Sequence, residues 1–148
     1  MRVQGTMVQD EAVTSGLDAA MARVGDRWTL LVVDALLAAP RRFSDLQGDI
    51  PGLAPNVLTA RLRRLEQQGL VLAVPYSDRP PRLEYRITEA GRELAGALRL
   101  LARWGSRESG AEVEGPHHRS CGTALETRWF CPTCARVTDT ADDDLRWL

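Results

Sequence analysis

Between Arg41 and Ile87 the apolar residues change their spacing once, and that change narrows the possible folds more than any other feature of the chain. In PNVLTARLRRLEQQGL, Leu58, Leu62 and Leu65 recur at intervals of three and four, as on one face of a helix, and Gly69 suits its end. In LEYRI the interval becomes two: Leu83, Tyr85 and Ile87 alternate with Glu84 and Arg86, the pattern of a half-buried strand. VLAVPY reads as the strand before it, and SDRPPR, with Arg79 and Arg82 projecting, has the residue types of the tip between them. A helix that runs straight into a hairpin needs other helices to bury both.

The chain supplies those helices on its N-terminal side. Leu17–Val24 is short and amphipathic and stops at Gly25. Asp26 can cap a second helix, which Pro40 closes after Ala39. Its residues Trp28, Leu31, Val32, Ala35 and Leu36 form one stripe, and Leu30, Val33 and Leu37 make the other side apolar, so the helix should be buried on most sides. Ser44 suits the N-cap of a short helix over 44–49, Ile50-Pro51-Gly52 breaks it, and Ala54-Pro55 opens the next with proline in the first turn. On that next helix Leu58, Leu62, Leu65 and, beyond its end, Leu70 lie on the core side, which leaves Asn56, Thr59, Ala60, Arg61, Arg63 and Arg64 outside. Two short helices joined by a tight turn, the second with arginines on its free face, make a helix-turn-helix.

After the hairpin, Thr88 can cap a last helix, in which Leu94, Ala97, Leu98 and Leu101 share a face while Leu100 and Trp104 add apolar surface elsewhere. That is one stripe more than a capping helix needs, and it asks for a second subunit. The order of elements is that of a winged helix-turn-helix, a mainly α (α+β) fold with dimerising terminal helices. We read 1–16 as an N-terminal arm, 17–107 as the DNA-binding and dimerisation domain, and 108–148 as a small C-terminal extension.

Charge agrees with an anionic partner for the middle of the chain. All nineteen cations are arginine; residues 41–107 hold twelve of them against seven acidic residues, whereas 108–148 hold four against eight. On a helix-turn-helix, base edges are read from the first half of the second helix and flanking cations hold phosphates. The candidate DNA-contacting residues are therefore Arg41, Arg42, Ser44, Pro55, Asn56, Thr59, Ala60, Arg61, Arg63, Arg64, Arg79 and Arg82. Asn56, Thr59, Ala60 and Arg63 suit base edges, Arg61, Arg64, Arg41 and Arg42 suit phosphate, and Arg79 and Arg82 suit a narrow minor groove. Trp28 and Trp104 read first as core residues and second as walls of a pocket for a small-molecule effector. Enzyme function is not expected, since there is neither a glycine-rich phosphate loop nor a nucleophile elbow. No run approaches the ~18 apolar residues of a membrane span and Met1–Val13 has no apolar leader core, so a cytoplasmic location without membrane partners is expected. A protein-interaction module on the same fold is the competing reading.

Both histidines and all three cysteines fall within eighteen residues, His117 to Cys134. His118 and Cys121 are separated by two residues, as are Cys131 and Cys134, and nine residues lie between the pairs. Such pairs can each close on one tetrahedral ion, and thiolates with imidazole suit zinc. The expected ligands of one Zn²⁺ per subunit are His118, which the pair spacing favours over His117, Cys121, Cys131 and Cys134, in a zinc-ribbon-like knuckle that is structural or, if its thiolates oxidise, regulatory. A thioredoxin-like dithiol at Cys131-Pro132-Thr133-Cys134 and an unligated cluster are the alternatives, and the first lacks a βαβ setting.

VGDRWTLLVVDALL (24–37), RRFSDLQGDIPGLAPNVLTARLRRLEQQGLV (41–71) and PPRLEYRITEAGREL (80–94) together resemble the HxlR-type family of bacterial winged-helix transcriptional regulators. The resemblance implies a homodimer paired through helices near both ends of the winged-helix region, a recognition helix in each major groove and a hairpin along the backbone or minor groove; the expected function is a sequence-specific DNA-binding regulator acting as a repressor. Many members carry a sensing cysteine about thirteen residues before the tryptophan that corresponds to Trp28. Ser15-Gly16 stands there instead, and serine forms no reactive thiolate.

Overall fold

The computed structural model describes residues 15–111 and 115–138, in two units, one ending at Ala95 and one beginning at Gly96. The division falls inside the last helix, ahead of the boundary expected after Arg107, and most of the N-terminal arm lies outside the described residues. The first unit runs α1 (Gly16–Val24), α2 (Arg27–Ala38), β1 (Arg41–Arg42), α3 (Phe43–Asp49), α4 (Pro55–Gln67), β2 (Val71–Asp78), β3 (Pro81–Ile87) and the single turn α5 (Glu89–Arg92). The strands form one antiparallel sheet in the order β1-β3-β2. Helix α6 (Ala95–Ser109) leads into the second unit, where β4 (Trp129–Cys131) and β5 (Arg136–Thr138) pair. Among the described residues no helix is long and apolar enough to cross a membrane.

Local chemistry sets most of the boundaries. Ser15, in the position expected to be empty of a sensor, is the N-cap of α1: its Oγ accepts from the Asp18 N–H at 3.1 Å. Pro55 is in the first turn of α4, as expected. At the other end Leu70 N–H donates to Leu65 O and Gly69 N–H to Glu66 O, both at 2.9 Å, which with Gly69 at φ +70° is a Schellman ending. Thr88 caps α5 through Gly91 N–H and also donates its hydroxyl to Gly69 O at 2.7 Å, so one residue starts a helix and ties it to the end of α4.

The core is the set Val32, Val33, Leu36, Leu46, Leu58, Leu62, Leu65 and Val71, each almost wholly buried, closed by Ile50, Leu53, Leu70 and Ile87. Each such side chain contributes about 1.5–3 kcal/mol on burial, more than a typical cap, so the core decides how helices pack and the caps decide where they begin.

Four expectations change. Helix α3 starts one residue early: its N-cap is Arg42, whose N–H donates to Asp45 Oδ2 at 2.9 Å, and Ser44 is an exposed first-turn residue. The buried stripe of α2 is Thr29, Val32, Val33 and Leu36, while Leu31 is exposed and Trp28 half-buried beside Gly52; a helix apolar on two sides does not itself say which side faces in. The hairpin tip is only Arg79-Pro80, because Ser77 pairs with Arg82 and Asp78 with Pro81. The helix expected from Thr88 onward breaks at Glu93–Leu94 into α5 and α6.

The first residues after Thr88 are held where they are by a close approach. A Cβ at Gly91 would sit 2.4 Å from Leu70 O and 2.6 Å from Ile87 Cδ1, whereas Gly48 in α3 has nothing within 4 Å. Gly91→Ala is expected to cost on the order of 1–3 kcal/mol of stability in urea unfolding, and Gly48→Ala to gain up to about 1 kcal/mol, since only the first meets backbone.

Candidate nucleic-acid interface

Helix α4 turns about 100° per residue, which sorts its side chains into three faces. Leu58, Leu62 and Leu65 point into the core. Arg61, Arg64 and Gln68 form a second stripe, and each reaches the junction of α1 and α2: Arg61 Nε donates to Asp26 Oδ1 at 2.8 Å, an Arg64 amino group donates to Ala22 O, and Gln68 Nε2 donates to Arg23 O at 3.4 Å. The third face holds Asn56, Ala60, Arg63 and Gln67, all exposed, with Thr59 half-buried at its edge. Thr59 donates its hydroxyl to Pro55 O at 2.9 Å, which leaves its methyl and a lone pair for other contacts.

Asp26 organises the second face. Its Oδ1 accepts from Thr29 N–H at 3.1 Å and from Arg61, and its Oδ2 accepts from the Thr29 hydroxyl at 2.5 Å. Partial burial pushes its pKa up, but the hydrogen bonds from the Thr29 hydroxyl, the Thr29 amide and Arg61 outweigh that and leave it below the usual 3.8. Arg61 and Arg64, expected on phosphate, thus have structural partners here, and Arg63 is the arginine of this helix that extends from the exposed face.

The flanking cations are held too. Arg41 and Arg42 form β1 opposite Tyr85 and Glu84 of β3. Arg41 Nε lies 3.1 Å from Asp49 Oδ2, close enough for charge attraction though not aligned as a hydrogen bond. The Arg42 guanidinium sits 4.5 Å from the centre of the Tyr76 ring. Tyr76 falls at the register shift of β2 between Pro75 and Ser77, where a bulge re-aims the side chain. Arg79 at the hairpin tip and Arg82, near the start of β3, are exposed. Sequence reasoning missed Tyr76, whose position depends on the bulge, and Gln67, which the spacing from Asn56 and Arg63 could have found.

In the second unit the two expected metal pairs each come together, but the pairs remain apart. His118 Nδ1 lies 3.3 Å from Cys121 Sγ, and Cys131 and Cys134 share hydrogen bonds across their turn. Among the described residues no three metal-ligating side chains gather at one point. Hydrogen bonds from Thr123, its hydroxyl first and its amide second, and then from His118 hold the Cys121 thiol down to about 7. Cys134, through its amide and then its thiol, lowers Cys131, and the same contact raises Cys134. His117 takes part through its backbone, in a bridge to Ala124.

A core of three helices, a tight turn into an exposed second helix and a three-stranded hairpin layer define a winged helix-turn-helix DNA-binding protein. Residues 23–112 match the HxlR-like helix-turn-helix family, and the chain belongs to it. An HTH-type transcriptional regulator of Mycobacterium tuberculosis (strain ATCC 25618 / H37Rv) is 40% identical over 119 residues, 78% of this chain and 74% of the relative. One from Methanothermobacter thermautotrophicus is 31% identical over 118 residues, 80% of this chain and 86% of its own. Among solved structures, the HTH-type transcriptional regulator YtcD superposes with a TM-score of 0.61 at 31% identity, covering 66% of this chain and 99% of its own. The redox regulator HypR in its oxidized form superposes with a TM-score of 0.60 at 28% identity, covering 67% and 100%. The protein is accordingly a DNA-binding transcriptional regulator and not an enzyme.

The Asp26 knot has a measurable consequence. A carboxylate with a lowered pKa stabilises the fold above its unfolded pKa and stops doing so as pH falls through the lower folded value. Asp26→Ala should therefore cost about 1–2 kcal/mol at pH 7, the size of a lost N-cap, and the gap between variant and parent in urea midpoint should narrow as pH falls from the ordinary 3.8 through the lower folded value.

Proposed function

We propose that the protein works in the cytoplasm as a homodimeric repressor on a pseudo-palindromic operator, with α4 of each subunit in a major groove and the β2–β3 hairpin along the backbone or minor groove. The observation that carries this is the division of α4: two faces are occupied within the chain, and the third, beginning right after the turn, offers Asn56, Ala60 and Arg63 to a groove. Asn56 and Thr59 suit adenine or mixed edges, Ala60 a thymine methyl, and Arg63 the paired acceptors of guanine. Exposed Pro55 and Ser44 flank that face and approach phosphate. Arg79 and Arg82 reach the neighbouring backbone or a narrow minor groove. Arg41 and Arg42 contribute field as well as contact, since each keeps an intramolecular partner, and Arg61 and Arg64 act mainly by orienting α4.

Dimerisation is supported by apolar surface on the terminal helices. Leu17 is 70% exposed and Met21 follows one turn later on α1; on α6 Ala97, Leu101 and Trp104 make an exposed stripe, with Trp104 at 66%. The core reading of Trp104 does not hold within one chain, and Leu98, not Leu101, is the buried residue of α6. Half-sites are then expected one helical turn, about 34–36 Å, or a multiple apart. A small-molecule effector would enter between such helices. The HypR neighbour is named a redox regulator; a thiol-based redox signal in this chain would have to use Cys121, Cys131 and Cys134, which are the cysteines it has.

The test is binding to DNA from the protein's own promoter region across a salt series. Arg63→Ala should lose about 1–3 kcal/mol and relax preference at one base position, while Arg82→Ala should weaken all sequences alike and lower the salt slope by about 1. Equal loss on every sequence for Arg63→Ala would move that residue to the phosphate class; binding without salt dependence would favour a protein-interaction module instead. Trp104→Asp should give monomers by analytical ultracentrifugation and bind a single half-site weakly.

A further inference from the structure

From Gly115 to Thr138 the chain has no buried residue among those described: Gly115, Cys131 and Thr138 are the most sheltered, and Leu125, Trp129, Phe130 and Val137 are all exposed. A segment of this length with regular hairpins and no apolar core lacks the usual source of stability, and small folds of this kind are held by disulfides or a metal. Its three cysteines form no disulfide.

The backbone repeats one device. His118 and Cys121 end a turn in which Gly122 N–H donates to His118 O at 2.8 Å, followed by Gly122 at φ +71°. Cys131 and Cys134 end a second turn, between β4 and β5, followed by Ala135 at φ +51°. In both, two donors separated by two residues are brought to one side of a hairpin end, and the residue after the second donor takes the left-handed conformation. Alanine there is strained, and Ala135 is the non-glycine residue with positive φ among those described. One pair already places its donors side by side, His118 Nδ1 at 3.3 Å from Cys121 Sγ.

We propose that the two hairpin ends close on a single zinc ion held by His118, Cys121, Cys131 and Cys134, and that this ion is the core of the C-terminal unit. The link of nine residues between the pairs lets the second hairpin swing onto the first. On binding, the three thiols release their protons to solvent and the neutral imidazole donates a lone pair, giving four protein ligands and no open position. His117 is outside the set, since it is the His118 ring that lies against Cys121 Sγ. The site is therefore structural for this unit, and it would take no part in catalysis.

The experiment is metal content of the full-length protein, purified in reductant, by elemental mass spectrometry. One zinc per chain is expected, retained by His117→Ala and lost from Cys131→Ser and Cys134→Ser. Cobalt added to the metal-free protein should give the intense visible absorption of a tetrahedral site with thiolate charge-transfer bands, weakened in His118→Ala. Zinc should also slow tryptic cleavage after Arg119, Arg128 and Arg136 relative to the metal-free protein, a reading independent of whether the cysteine variants stay folded. No zinc after reconstitution, half an ion per chain, iron in its place, or loss of the ion from His117→Ala with retention in His118→Ala would each overturn the assignment. DNA binding is measured separately, so failure here leaves the operator-binding reading standing.

Discussion

The carboxylate of Asp26 joins the two ends of the helix-turn-helix problem. It caps α2, a core helix, and in the same position it accepts from Arg61 of α4, thirty-five residues away along the chain. A cap normally fixes only where a helix begins. Here it also fixes the rotation of the second helix of the helix-turn-helix, because Arg61, Arg64 and Gln68 can reach the α1–α2 junction in only one rotation of α4 about its axis. The apolar contacts of Leu58, Leu62 and Leu65 are larger in energy but less directional, so burial holds α4 in place and the polar stripe sets its angle.

A comparable division of labour runs through the hairpin. The short strand β1 puts Arg41 and Arg42 against β3, and the bulge at Pro75–Ser77 turns Tyr76 toward Arg42. The cation over the ring restrains a side chain that would otherwise sample many rotamers, and lost rotamer freedom is one of the main costs of binding DNA. Arg41, Arg42, Arg61 and Arg64 are thus held by partners within the chain, while Arg63, Arg79 and Arg82 are exposed.

The C-terminal unit follows a different logic. Helix α6 carries an exposed apolar stripe, and the hairpins beyond it carry exposed aromatics and, among the described residues, no buried ones. The helical unit is held by a dozen buried aliphatic side chains, whereas the described residues from 116 to 138 bury none. The chemistry of the C-terminal unit is concentrated in the order of its residues, not in the volume it encloses.

Much of this was legible in the sequence, because the signals act within a turn or two. Asp26, Pro55, Gly69 and Thr88 mark element ends through hydrogen bonds or backbone preferences that reach at most a few residues, and the change of apolar spacing after Leu70 separates helix from strand wherever it occurs. The core side of α4 was readable for the same reason, and so was the closeness of His118 to Cys121 and of Cys131 to Cys134, each pair being two residues apart. What only the tertiary structure decided are pairings between distant positions. That Arg61 and Arg64 turn inward while Arg63 does not, that Arg41 and Arg42 form a strand, that Tyr76 meets Arg42, and that α2 buries Val33 and exposes Leu31 all depend on which partner the fold brings alongside. An arginine looks the same in sequence whether its partner is a carboxylate of the same chain or a phosphate outside it, and only the packed structure distinguishes them.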